Sequence, residues 1–248
     1  MANRIGQEAF NHLVGDLRAT HGDNLASVVL YGSAATGEYA ELRSDYNVLI
    51  ALHRITPEDL RLAQAPVREW RRLGHPTPVY FTLAELRDAA DVFPIEFHQM
   101  ERARLVLHGP DPFDSIRISD ANLRHQTEYE LRSKLLQLRR LYIPASASAE
   151  RLQGLMSDSL TSFATLFAPV LILRGEQPPV LKRDVVRATA QLLDLDGRVF
   201  DRVFELRAEG DGRSLGEREA EELFAAYLGQ IERVIEAVDG IAATPAGA

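Results

Sequence analysis

Residues 28–52 read VVLYGSAATGEYAELRSDYNVLIAL, and the reading of this stretch decides the fold. Two apolar, β-branched runs, VVLY and VLIAL, flank a turn-rich loop. Each has the length and composition of a buried strand. Gly32-Ser33 closes the first run and Asp45-Tyr46-Asn47 opens the second. Gly32 allows the backbone to approach a ligand closely, Ser33 adds a hydroxyl, and a turn starting there points N–H groups outward. Residues two apart in a strand share a face, so Asp45 and Asn47 project side by side toward the strand end bearing Gly32 and Ser33. Oxygen donors in such a pair suit Mg²⁺ held against phosphate oxygens. The bland reading is a strand-to-loop turn in which Ser44 and Asp45 cap backbone groups. An EF-hand is excluded, because Val48-Leu49-Ile50 stands where the loop glycine and further oxygen ligands belong.

Working outward, residues 4–20 put Ile5, Ala9, Leu13 and Leu17 on one helical stripe before the first strand. Thr56-Pro57-Glu58 is a helix start with threonine at the cap, and that helix is expected to run to about Leu73 and stop at Gly74. TPVYFT reads as a third strand, and Thr82-x-x-Glu85 has capping-box form for a short helix. VFPIEFHQM and RLVLHG read as short strands. Beyond Pro112 helical patterns take over. Leu131, Leu135, Leu138 and Tyr142 mark one stripe; Leu152 to Leu173 is apolar on nearly every side; Leu223, Tyr227, Ile231, Val234 and Val238 mark a last helix. IPASASAE reads as a loop between helices. Phe163, Phe167, Phe200, Phe204 and Tyr227 are read as core. The expected class is α+β: an N-terminal mixed sheet with flanking helices over 1–115, a C-terminal helical bundle over 116–242, and a disordered tail over 243–248.

Composition narrows the function. The chain has 248 residues, 46% hydrophobic and 26% charged, as a globular protein has. It has no cysteine, which removes disulfides and thiolate metal sites and fits a reducing compartment. No signal-peptide core opens it, and LTSFATLFAPVLIL is short for a membrane span and interrupted by Pro169, so a cytoplasmic protein without a membrane segment is expected. A net charge of −8 argues against extended nucleic-acid binding but leaves room for one phosphate-bearing ligand. Arg68 and Arg72 lie at helical spacing and read as a solvated face. Seven histidines occur without a His-Glu-x-x-His helix, and no Walker-type phosphate loop is present.

Gly32-Ser33 followed twelve residues later by Asp45-x-Asn47 at the head of an apolar strand resembles the signature of the DNA polymerase β-like nucleotidyltransferase superfamily. The helical half resembles the bundle of its kanamycin nucleotidyltransferase-like members. The resemblance implies transfer of a nucleoside monophosphate from an NTP, with ATP first in line, to a hydroxyl of a small molecule or protein. Gly32 and Ser33 would contact the nucleotide's phosphates, Asp45 would be catalytic and bind Mg²⁺, and Asn47 would stand at the second metal position. One or two ions would be held. The family takes a third carboxylate from a later strand. Glu96 is the candidate, as base and metal ligand, because an acid inside an apolar strand is costly without a task; Asp91 and Glu101 are the fallbacks. The competing reading of Glu96 is a buried acid paired with Arg102 or Arg104. His98 reads as a structural histidine.

Asn47 departs from the family, since an amide can ligate Mg²⁺ but adds no charge. The alternative function is therefore a catalytically degenerate nucleotide-binding sensor or protein-interaction module. The helical half would shape the acceptor pocket, with Tyr129, Lys134, Arg139 and Asp158 as polar candidates, and homodimerisation through it is open.

Overall fold

The computed structural model describes residues 2–35, 46–209 and 215–241. Asp45 and the 243–248 tail lie outside the described residues, and of Ser33 only the backbone is described. The chain divides into two compact units, 1–118 and 119–248.

The first unit is a four-stranded mixed sheet with helices on both faces. α1 (Ala2–His21) leads into β1 (Leu25–Tyr31), and β2 (Asn47–Leu52) returns antiparallel to it, pairing Tyr31 with Asn47 and Val28 with Ile50. α2 (Pro57–Leu62) and α3 (Gln64–Arg72) carry the chain over to β3 (Val79–Thr82), which lies parallel to β2. A parallel pair cannot be joined by a hairpin, which is why two helices intervene. After α4 (Leu83–Asp88) and α5 (Pro94–Arg102), β4 (Arg104–His108) pairs antiparallel with the other side of β1. The order is β3-β2-β1-β4, with β1 and β2 in the middle. Both central strands are buried nearly throughout, as their unbroken apolar runs require.

Alternation along the strands splits the core in two. Val28, Leu30, Val48, Ile50 and Leu52 face α1 and Trp70 of α3. Val29, Leu49 and Ala51 face Leu86 of α4 and Phe97 and Met100 of α5. Gly109 ends β4 at φ +74°, where a Cβ would fall 2.0 Å from the Ala26 carbonyl oxygen, so only glycine fits that turn.

The caps at Thr56 and Thr82 form as expected. Thr56 accepts from the Asp59 N–H while Asp59 accepts from the Thr56 N–H, and Thr82 and Glu85 do the same. Three expectations change. The helix after Thr56 is divided at Ala63, because Pro66 has no N–H for the Leu62 carbonyl and its ring crowds that oxygen. VFPIEFHQM is helical, not a strand. Pro94 takes the first helical position, and Ile95, Phe97 and Met100 are buried against the sheet. The loop expected at IPASASAE is present but shortened to 146–148, since the helix before it runs through Pro144.

The second unit is all helical: α6 (Asp120–Ala145), α7 (Ala149–Leu173), α8 (Lys182–Leu192), α9 (Gly197–Glu209) and α10 (Glu217–Asp239). α7 packs against all four others, runs on through Pro169, and buries Met156, Leu160, Phe163 and Phe167. With 25 residues it is long and apolar enough to cross a membrane, contrary to the sequence expectation that no segment approaches that length. Half of its most apolar window is buried, which fits the central helix of a bundle. The last stripe is headed by buried Phe224, with Leu223 half-buried beside it. Phe204 is only half-buried, under the Arg183 guanidinium 5.8 Å from its ring.

Candidate nucleotide site

β1 turns sharply at its end because Gly32 adopts φ +86°, a conformation that a Cβ penalises. The Gly32 N–H donates to the Ala103 carbonyl at 2.9 Å and its own carbonyl accepts from the Ala35 N–H at 2.9 Å. A single 3₁₀ turn, Ser33–Ala35, follows. The antiparallel register sets Asn47 opposite Tyr31, and the Asn47 amide nitrogen lies 3.4 Å from where a Gly32 Cβ would stand. The structure thus brings Gly32 and Asn47 together at one strand-end mouth. Asn47 shares its sheet face with Leu49, two residues on, and therefore the face on which α5 packs. Tyr31 lines the same face, and loss of solvent pushes its phenol pKa up.

The opposite face of this mouth carries a cluster of edge-on and tilted rings that the sequence reading did not single out. The Tyr46 ring lies 4.8 Å from Phe10 and 4.5 Å from His75, and His75 lies 4.4 Å from Trp70. The only sequence signal for it was the alternation that sends Tyr46 away from Asn47. Arg104 starts β4 opposite Tyr31, but its guanidinium is committed to Asp111 at 2.7 Å and Asp114 at 3.8 Å, and to the Glu101 carbonyl.

Glu96 is not a strand residue. It stands in the first turn of α5, exposed, between buried Ile95 and Phe97. The premise that an acid there must be costly fails, because an acid in the first helical turn is stabilised by the N-terminal dipole and solvated. Asp91 is exposed ahead of α5. Glu101 is half taken up by His98, whose Nδ1 lies 3.8 Å away, in keeping with a structural histidine. Strands β3 and β4, VYFT and RLVLH, carry no acid at all. Among the described residues no cluster of three or more His, Asp or Glu is arranged to hold a metal. Of the residues expected to hold metal, Asn47 stands at the mouth and Glu96 on α5, while Asp45 lies outside the described residues. One carboxylate and one amide, Asp45 and Asn47, have the hard oxygen chemistry for a single Mg²⁺.

In the helical unit, α6 and α7 enclose a cavity of about 210 Å³. Lys134 and Asp158 line it together with Gln137, Ser159 and Ser162, over a floor that includes Phe163. Tyr129 projects into solvent, 65% exposed, and Arg139 pairs with Glu232 at 2.6 Å. Of the four polar candidates in this half, two meet at one cavity and two do not.

No protein-family model and no curated protein sequence matches this chain. Ten solved chains do match it in structure. One is spectinomycin adenyltransferase from Enterococcus faecialis, crystallised with ATP and spectinomycin. It is 12% identical, with a TM-score of 0.57, and the match covers 92% of this chain and 98% of that one. The match therefore takes in both the sheet unit and the helical unit, and the fold is that of a nucleotidyltransferase with its C-terminal helices.

Proposed function

We propose that this chain, built on the adenyltransferase fold, binds a nucleoside triphosphate at the Gly32–Asn47 mouth and transfers its nucleoside monophosphate to a hydroxyl of a small molecule. The carrying observation is that Gly32 and Asn47 meet at the end of β1 and the start of β2 within a fold that matches an adenyltransferase over 92% of the chain. In this reading the acceptor oxygen attacks the α-phosphorus, the bond from that phosphorus to the β-phosphate oxygen breaks, and pyrophosphate leaves. Gly32 and the turn behind it let the phosphates come close to the backbone. Asp45 and Asn47 would hold one Mg²⁺, whose charge offsets that of the phosphates when bound. The candidate base is Glu96, carried on the helix that packs on Asn47's face of the sheet. With one charge fewer than two carboxylates provide, transfer is expected to be slow.

Asn47 and the acid-free β3 favour a second reading, nucleotide binding without transfer. Incubating the chain with labelled NTPs, Mg²⁺ and small hydroxylated acceptors separates the two. Pyrophosphate release that falls in Glu96→Gln while nucleotide affinity holds supports the transferase. Binding without release leaves the sensor, and no nucleotide binding at all sinks both. Asn47→Asp restores a charge next to Gly32 and should tighten metal binding; unchanged metal affinity counts against a metal at this mouth.

A further inference from the structure

Among the described residues β4 is an edge strand, hydrogen-bonded to β1 on one side only. Such an edge presents a row of backbone donors and acceptors to any extended chain that approaches it. The strand is five residues long and its pairing with β1 shifts register between Val28 and Val29, but its backbone edge is open to pairing. Its sequence, RLVLH, has no proline and no acid, and Leu105 is 50% exposed. Leu107 belongs to the α1 side of the core, and Leu105, two residues before it, points the same way.

α1 runs beside this edge and leaves a trough. Two adjoining hollows of about 450 and 590 Å³ lie between them. They share Gly15 and Arg18, so they form one groove from Gln7 to Asp23, with Leu105 to His108 as its other wall. The helical wall is low, because a Cβ at Gly15 would meet nothing within 4 Å. Arg18 stands midway along, exposed, and makes no hydrogen bond or ion pair with a described residue. Asp23 marks one end.

We infer that this groove docks an extended peptide segment of a partner protein by adding it as a fifth strand to β4. A helix beside a free edge strand supplies what strand addition uses: backbone pairing from the strand and side-chain pockets from the gap. The segment carries apolar residues at alternate positions, which meet Leu105 and Leu107, and one carboxylate near its middle, which meets Arg18. An acid at the Asp23 end is disfavoured by like charge. The groove lies on the α1 face of the sheet, whereas Asn47 lies on the α5 face, and its occupancy does not require nucleotide transfer.

Panning short random peptides displayed on phage against the full chain tests the proposal, followed by anisotropy titration of the synthesised winners. Selected sequences should alternate apolar residues around a central Asp or Glu. Gly15→Trp fills the groove from an open, exposed helical position that accepts a side chain, and should abolish binding. Arg18→Glu should weaken it by about fivefold or more, as loss of a favourable exposed pair and gain of a repulsive one predict. Amide exchange of residues 104–108 should slow when peptide is bound. The proposal is overturned if panning yields no sequence, or if the winners bind Gly15→Trp as well as they bind the native chain. Sedimentation of a dimer that Gly15→Trp dissociates would seat a second copy there and overturn the partner peptide.

Discussion

Tyr80 on β3 and Tyr227 on α10 are the same residue in the two units, and their surroundings differ. Burial raises the phenol pKa of both. Tyr227 is fully buried and its hydroxyl meets the Ser159 hydroxyl at 3.0 Å. The Tyr80 hydroxyl is buried with no partner among the described residues. The contrast extends to their neighbours. In the helical unit Thr127 and Thr189 are fully buried, and each donates its hydroxyl to the carbonyl four residues back. Under the α1 face of the sheet, both ring nitrogens of His21 and the Trp70 Nε1 are buried without a partner among the described residues. The difference teaches where spare acceptors lie. A helical carbonyl can take a second hydrogen bond from its own i+4 side chain, whereas the sheet's central carbonyls are engaged by neighbouring strands. A polar group in the sheet can still reach an edge-strand carbonyl, as buried Ser27 does at His108, 3.0 Å away, whereas His21, Tyr80 and Trp70 reach none among the described residues.

The comparison can be broken at four points. The largest effect is expected from Phe167→Ala, which empties a fully buried site on the helix that all others touch; a loss of about 3–5 kcal/mol in denaturant unfolding is expected. A loss below about 1 kcal/mol would show that α7 is not the centre of that core. Tyr227→Phe removes a satisfied hydroxyl, leaves Ser159 only its bond to the Met156 carbonyl at 3.1 Å, and should cost about 1 kcal/mol. Tyr80→Phe removes an unsatisfied one of the same shape, so stability should stay level or rise by about 1 kcal/mol at most. If both tyrosine variants destabilise alike, the Tyr80 hydroxyl has an ordered water and the contrast between the units disappears.

The smallest effect is a pH dependence. Burial holds the His21 pKa below its ordinary 6.5, and the nearby Asp59 carboxylate opposes that shift only in part. The unfolded chain therefore takes up a proton near pH 6.5 that the folded chain refuses, so stability should fall as pH drops below 6.5 toward the folded pKa. His21→Phe should flatten that limb of the melting curve. Asp59 acts in a separate, lower window. The Thr56 hydroxyl, first among its causes, holds its carboxyl below 3.8, so its contribution is present above 3.8 and lost as pH falls through the lower folded value. A Tm that stays level from pH 7 to pH 5 in the native chain would show that His21 is hydrated after all.

Much was written in the sequence. Thr56, Thr82 and Gly74 punctuate helices through contacts within four residues, and the runs at 25–31 and 47–52 could only be buried strands. Gly32 and Asn47 could be paired in advance because a hairpin's register follows from two strands and one loop. The sequence also fixed Asn47 itself, an amide where charge was wanted. Tertiary structure alone decided the rest. VFPIEFHQM is an apolar run that period cannot assign. Pro94 at a helix start and Phe97 against the sheet settled it, and with it the standing of Glu96. The same holds for the edge position of β4 and for the polar atoms of His21, Tyr80 and Trp70, which meet no hydrogen-bond partner among the described residues. Strand order, and which polar atom ends beside which acceptor, depend on pairings between residues far apart in the chain, and no local pattern carries that information.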